Sequence, residues 1–498
     1  MARVRKKLKR TGPITTIILL ILGVSVISFI LNLLGVRGYT TEAGTLETSL
    51  VTVTNVISKD GIQYILNNTI INFQMMQPLV YLIISLIAVS ILETSGLLKH
   101  LLIPLKKVKY KYITFLTILL GILSTFIGDY CYVLLLPLIG VIYRYLGRDS
   151  SLGVITMFIG ITVGYSSGVL CNYQDYLLGM MTQSAASSID SSFKYNVWSN
   201  FYIMLVSMIV LSLLGTFLVE KKLAKQYKRN EENDNLVISR KALIPTIIIG
   251  ILLIGFFTYA VIPGLPLSGM LLKIDSKYYI DSLLGDGAPL SNSLLLLMLA
   301  IILICSFVYG KISRNIKNRD YTYCMTKAFD NTGYIFVLLF FASVLLGILD
   351  WSNISTVFAT NIIDFIGSLQ FSGIALILIV FIGIVLISIL IPSSLTKWSI
   401  ASPVLVPLLM RSNINPAFTQ YLFASADAVG KCISPIYIYL IIMIGFLYKD
   451  NRNNENSIFS TMKHMMPVLW LLMLALLVIV LGWFLIGFPI GIGTNITM

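Results

Sequence analysis

The sequence predicts an all-α polytopic membrane protein of about nine transmembrane helices plus two opposed re-entrant hairpins, arranged as an inverted-topology repeat. Three observations carry this. First, the 498 residues are 57% hydrophobic and only 12% charged, where a soluble domain carries about 25% charged residues. Second, the basic residues are sorted. Of 36 Lys and Arg, 28 fall in the clusters 3–10, 99–111, 144–148, 221–241, 311–327 and 449–463, which one topology places on a single side. That bias marks the cytoplasmic loops. Third, two small, polar segments interrupt apolar tracts at positions related by a shift of about 270: Ser124 to Leu138 (S-T-F-I-G-D-Y-C-Y-V-L-L-L-P-L) and Ser394 to Leu408 (S-L-T-K-W-S-I-A-S-P-V-L-V-P-L). Paired interrupted segments in two halves of a membrane protein point to the binding site of a secondary transporter.

The elements follow in order. Residues 1–75 hold the basic N-terminal segment, a first span at about 14–35 and an outer loop. The first apolar run is too long for a signal-peptide core and has no small-residue cleavage site. The first repeat, 76–220, begins with a span at 76–98. Between the inside markers Lys111 and Arg144 only about 32 residues are available, too few for two full crossings. A re-entrant hairpin over 112–144 fits. Spans at 152–171 and 200–220 follow, with Ser184 to Ser192 as an outer loop. Residues 221–326 hold a cytoplasmic linker and spans at 242–262 and 290–311. The second repeat, 327–498, has a span near 330–349, an outside segment Asp350 to Ser355, a hairpin at 371–410 broken at Pro392-Ser393-Ser394, a span at 417–447 broken near Gly430 and Pro435, and a last span at 467–487. The N-terminus is then cytoplasmic and the C-terminus extracytoplasmic, in a multi-pass protein of the cell (plasma) membrane.

Ionisable groups in the bilayer core are expensive and mark function. They are Glu93, Asp129, Lys397, Asp427 and Lys431. Glu93 sits near a cytoplasmic helix end and is read as solvated. Asp129 follows Gly128 at the first hairpin tip, beside Ser124 and Thr125. Half-helix ends at such a tip hold ions or anionic groups. The carboxylate is either a cation or proton site or a cap for the second half-helix. At the second tip Ser393, Ser394 and Thr396 offer hydroxyls. Trp398 offers a ring face for an aromatic solute or packs, and Lys397 either adds positive field or snorkels to water. Asp427 and Lys431 face each other four residues apart on a helix. They are either a self-neutralising pair or a carboxylate whose bound cation is replaced by the ammonium. Gly430 lies at the same break. The substrate-binding candidates are therefore Ser393, Ser394, Thr396, Lys397, Trp398, Asp427 and Lys431, and the ion-coupling candidates Ser124, Thr125, Asp129 and Gly430.

The net charge of +14 is accounted for by the sorted loops, which draw anionic lipid heads; no nucleic-acid partner is implied. The five cysteines lack metal or redox spacing. The two histidines, His100 and His464, lie in cytoplasmic loops, no H-E-x-x-H motif occurs, and no base lies near the tip hydroxyls, so an enzyme is disfavoured. A channel needs a continuous polar pore, which two opposed hairpins block. No cofactor is implied beyond a coupling ion, proton or sodium.

With these segments in view, the chain resembles the AbgT family of p-aminobenzoyl-glutamate transporters over nearly its whole length. The pieces that carry the resemblance are D-W-S-N at Asp350 to Asn353, T-K-W-S-I-A-S-P-V-L-V-P at Thr396 to Pro407, G-D-Y-C-Y-V-L-L-L-P at Gly128 to Pro137, N-Y-Q-D-Y-L-L-G at Asn172 to Gly179 and A-D-A-V-G-K-C-I-S-P at Ala426 to Pro435. The resemblance implies nine spans, two opposed hairpins and a homodimer. It also implies ion-driven transport of aryl-glutamates or antimetabolites, with another carboxylate (a dicarboxylate, an amino acid or a short-chain fatty acid) as the alternative cargo. It further implies Asn where this chain has Thr125, Gly168 and Lys431, and Arg where it has Ala424. Neutral oxygen ligands for a hard cation are thereby lost, which weighs against sodium. A bidentate carboxylate partner is lost too, leaving Lys431 as a point charge.

Overall fold

A computed structural model describes residues 12–44, 47–169, 171–227, 236–274, 276, 278–285, 287–317, 320–450 and 457–498. The basic cluster 3–10, the middle of the 221–241 cluster, Lys277 and residues 451–456 lie outside the described residues. Helix α1 (Pro13–Leu33) begins on a proline at its first turn. The expected outer loop up to residue 75 is not a loop. It holds an antiparallel ribbon, β1 (Arg37–Thr41) and β2 (Thr48–Thr52), then helix α2 (Lys59–Gln74). Ser58 caps α2 by accepting the Gly61 amide at 3.1 Å. Pro78 then restarts the chain as α3 (Gln77–Ser95). The pair covers 37 residues, Lys59–Ser95.

After α4 (Leu97–Leu102) comes the first hairpin, α5 (Tyr110–Ser124) and α6 (Tyr130–Tyr145). Its base is closed by Arg148, whose Nη1 donates to the Tyr110 carbonyl at 3.3 Å, so the chain returns to the end it entered from. Its tip needs Gly128, which adopts φ +69° with open space around the missing Cβ; the backbone angle, not room, demands glycine. The expected span 152–171 is corrected: α7 (Ser150–Gly164) stops early. A capping box between Asn172 and Asp175 starts α8 (Tyr173–Ala186), which takes in part of the expected outer loop 184–192. Then follow α9 (Phe201–Leu218), α10 (Arg240–Tyr259), α11 (Tyr279–Leu284), α12 (Pro289–Ile312), α13 (Tyr321–Thr326) and α14 (Gly333–Trp351). Asn353 turns the chain with φ +57° into α15 (Ile354–Ser368), a helix the sequence reading passed over. The second hairpin is α16 (Gly373–Leu390) and α17 (Ser394–Arg411). Helix α18 (Pro416–Gly430) meets α19 (Ile438–Asp450) at a 43° bend, and α20 (Ile458–Ile486) completes the bundle.

Among the described residues nine helices are long and apolar enough to cross a membrane. They are not the nine expected. Tyr110–Ile127 and Gly373–Leu390, each containing a hairpin leg, are among them, while α7 is too short and the bent pair α18–α19 joins them only if taken as one span, which makes ten. The element order recurs: a long helix broken midway, a hairpin, a second broken helix, a long closing helix.

The loops sort to two ends. Asn315 donates to the Ser95 carbonyl, His100 Nδ1 lies 2.9 Å from the Tyr309 hydroxyl, and Lys449 donates to the Ala328 carbonyl at 2.6 Å; the described basic clusters share this end. The ribbon shares the other end with the C-terminus: Asn361 donates to the Arg37 carbonyl and the Asn415 amide to the Ile496 carbonyl. Glu93 is corrected. It is 7% exposed and pairs with Lys327 at 3.2 Å and Arg144 at 3.7 Å, which ties α3, α6 and the entry to α14 together at the basic end. All five cysteines are free, Cys171 half-buried and the others buried.

The base of the first hairpin carries one further charged clamp. Arg148 Nη2 donates to Glu220 at 2.9 Å and Nη1 to Thr114 Oγ1 at 2.7 Å. Glu220 sits in a π-helical turn, Val219–Leu223, that ends α9. Removing one partner of a largely buried pair strands the other. Glu220→Ala is therefore expected to lower unfolding stability by about 2 kcal/mol, measured by thermal unfolding in detergent. A change below about 0.5 kcal/mol would mean that the pair is only a surface contact.

Candidate functional site

The two tips and the two helix breaks converge on one charged network. Asp427, on the last turn of α18, is 1% exposed. Lys397 of α17 and Ser394 at the start of α17 both donate to its carboxylate. Lys397 also donates to Ser388 Oγ at 2.8 Å. Lys431, at the α18–α19 break, approaches Asp427 at 3.9 Å and Ser394 Oγ at 3.4 Å. Its ammonium lies 3.6 Å from the centre of the Tyr165 ring, a cation–π contact. Tyr165, at the α7–α8 break, donates its hydroxyl to Asp129. An unbroken ladder thus runs from Asp129 on one tip through Tyr165, Lys431 and Asp427 to Lys397 and Ser394 on the other.

A cavity of about 470 Å³ borders this ladder, and Asp129, Ser393, Ser394, Thr396 and Lys431 line it. Lys431 is the one cation on that wall among the described residues. The sequence reading paired Lys431 with Asp427 alone. The structure gives Asp427 its closer partner in Lys397, from a different element 30 residues away in sequence. Lys397 does not snorkel: it is 1% exposed, and its charge is matched by Asp427.

Several expected residues stand apart from the cavity. Trp398 is wholly buried, donates its indole N–H to Thr182 Oγ1 at 3.0 Å and packs 4.4 Å from Phe423; it locks α17 onto α8 and offers the cavity no face. Ser124 donates to the Gly121 carbonyl at 2.7 Å and Thr125 to the Ile122 carbonyl at 2.8 Å. Hydroxyls at a helix end commonly satisfy the free carbonyls of their own last turn, so neither is aimed at the cavity. Gly430 is a close-approach glycine: a Cβ there would meet Ser388 Oγ at 2.8 Å, which lets α18 sit against α16. Asp129 does not cap α6 with its side chain. Ser393 does cap α17, accepting the Thr396 amide at 3.3 Å.

Other cavity residues were missed. Asn72 and Gln77 flank the α2–α3 break, Gln174 opens α8, Asp350 closes α14, and Ser355 and Thr356 open α15. The available signals were Gln77-Pro78 inside an apolar tract and D-W-S-N at the end of one. Both mark helix breaks at membrane depth, and such irregular backbone is tolerated where it lines a cavity.

A family model described as the AbgT putative transporter family matches residues 6–498. The p-aminobenzoyl-glutamate transport protein of Escherichia coli (strain K12) is 25% identical to this chain over 494 residues, covering 97% of this chain and 93% of that protein. Among solved structures, the YdaH transporter of Alcanivorax borkumensis shares the fold at 24% identity and a TM-score of 0.52, covering 97% of this chain and all of that one. MtrF of Neisseria gonorrhoeae, whose structure is described as illuminating a class of antimetabolite efflux pumps, is 25% identical with a TM-score of 0.50 and 98% coverage of both chains.

Proposed function

This chain belongs to the AbgT family and is a multi-pass membrane transporter rather than an enzyme, and from that premise we propose a secondary active carrier of a small organic anion, a p-aminobenzoyl-glutamate-like carboxylate, driven by a proton gradient. The single observation behind this reading is the position of Lys431. It is the cation on the cavity wall among the described residues, and it is held by Asp427, Ser394 and the Tyr165 ring between the two hairpin tips. Lys431 is 1% exposed, so its ammonium attracts a solute carboxylate as a point charge set just behind the cavity wall. With Lys397 in contact with Asp427 and Lys431 at 3.9 Å, two ammonium groups already neutralise that carboxylate, which favours protons over a sodium ion bound there. Asp129, half-exposed at the cavity, carries the coupling proton. Movement of either tip must stretch the ladder, which couples solute occupancy to the hairpins. The recurrent element order supports alternating access through an inverted repeat, and the gathering of the described basic clusters at one end supports a cytoplasmic assignment for that end.

The test is uptake of labelled p-aminobenzoyl-glutamate into proteoliposomes under separate proton and sodium gradients, with dicarboxylates, amino acids and short-chain fatty acids as competitors. The expected result is saturable uptake that follows the proton gradient, changes less than about twofold when potassium replaces sodium, and yields best to aryl-glutamates. A rate that climbs steeply with external sodium overturns the coupling assignment. Saturable uptake displaced better by another carboxylate class overturns the cargo. Internal unlabelled solute should accelerate exchange, as a carrier requires and a pore does not.

A further inference from the structure

A groove of about 620 Å³ runs between α5 and α9 on the outer surface of the bundle. Its walls are apolar and open to the membrane: Tyr112 is 51% exposed, Leu213 59% and Phe217 57%. The apolar ridges continue along both helices, through Leu116 and Leu120 on α5 and Ile209 and Val206 on α9. Behind the groove α9 approaches α5 closely at the buried Gly215, whose Cβ position lies 3.2 Å from Ile118 of α5. At the basic end the mouth changes character. Lys111 and Lys221 stand on opposite walls, their ammonium groups 5.0 Å from the Tyr112 ring and 5.1 Å from the Phe217 ring. Glu220, the one carboxylate lining the groove among the described residues, is taken by Arg148. The mouth is therefore cationic, and it sits where α5 and α9 leave the apolar layer.

The geometry points to a phospholipid site: one anionic glycerophospholipid seated with its phosphate between Lys111 and Lys221 and an acyl chain along Phe115, Leu213 and Phe217. Basic residues flanking an interhelical groove at a cytoplasmic surface recognise anionic head groups, and long lysines reach the head-group level while their stems cover apolar wall. A zwitterionic lipid presents the same phosphate, but its own quaternary ammonium cancels the head group's net charge and is repelled by the two lysines, so it gains less. The bound lipid would bridge the first leg of hairpin one to α9, directly beside the Arg148–Glu220 clamp that closes the hairpin base.

The experiment is native mass spectrometry of the full chain, released from detergent in an equimolar mixture of phosphatidylglycerol and phosphatidylcholine of matched chains. Retention of phosphatidylglycerol should exceed that of phosphatidylcholine by on the order of tenfold. The ratio should fall close to one in Lys111→Gln/Lys221→Gln and hold in the control Lys106→Gln/Lys107→Gln, lysines of the same end outside the groove. No preference in the wild type, a preference that survives the groove variant, or an equal fall in the control overturns the site. A Phe217→Cys variant that cross-links efficiently to a second copy in membranes also overturns it, since the groove would then be a subunit contact.

Discussion

Asp427→Ala is expected to lower unfolding stability by about 3–5 kcal/mol, the range found when one partner of a buried ion pair is removed. The size follows from what remains. Lys397 and Lys431 are each 1% exposed, and Asp427 is the one carboxylate paired with either among the described residues. Ser388 and Ser394 can accept from the ammonium groups, but a hydroxyl does not offset a full charge in a low-dielectric interior. The loss should appear as a lower unfolding midpoint in detergent. Asp427→Ala/Lys397→Met removes one stranded charge and fits a long apolar side chain into the space, so it should recover part of the loss. A double variant no more stable than the single would show that the pairing is not what Asp427 contributes.

Asp129→Asn should give the opposite pattern. The side chain is half-exposed, does not cap α6, and accepts one hydrogen bond from Tyr165, which an amide oxygen can also accept. The folded state should therefore be little changed. Gradient-driven uptake should fall at least about tenfold, equivalent to about 1.4 kcal/mol in the rate-limiting barrier, because an amide carries no proton across. Counter-flow of unlabelled solute, which needs no net proton movement, should survive. Equal loss of exchange and gradient-driven uptake would place Asp129 in solute binding. Unaltered uptake would remove it from the cycle.

These two variants separate the parts of the ladder. Asp427 is buried and chiefly holds the second hairpin to α18, whereas Asp129 borders the cavity. The sequence named both residues, but it could not assign these parts, because burial and partner identity depend on which helices meet.

The first hairpin was legible because positive charges at 111 and 144 left too short a tract for two crossings, and the second because Pro392-Ser393-Ser394 breaks an apolar tract. The first tip was legible because Gly128-Asp129 breaks an apolar run. Helices α2 and α15 were not legible. Each is half of a broken helix, amphipathic enough at its outer end to pass for a loop, as the run K-D-G-I-Q-Y-I-L-N-N-T at Lys59 to Thr69 shows. The back-bonding of Ser124 and Thr125 was hidden for a similar reason: a hydroxyl at a helix end can turn to its own carbonyls or outward, and composition is the same either way.

Hydropathy, charge sorting and paired interruptions by themselves determined a membrane bundle with two dead-end hairpins and a short roster of intramembrane charges, since the bilayer penalises each departure from an apolar helix and so writes it into local sequence. Only the tertiary structure decided who pairs with whom. Lys397 reaches Asp427 from another element, Lys431 rests on the Tyr165 ring, and Trp398 turns away into α8. Such contacts join residues up to hundreds of positions apart, and their energies depend on distance and burial in three dimensions, which no local spacing records.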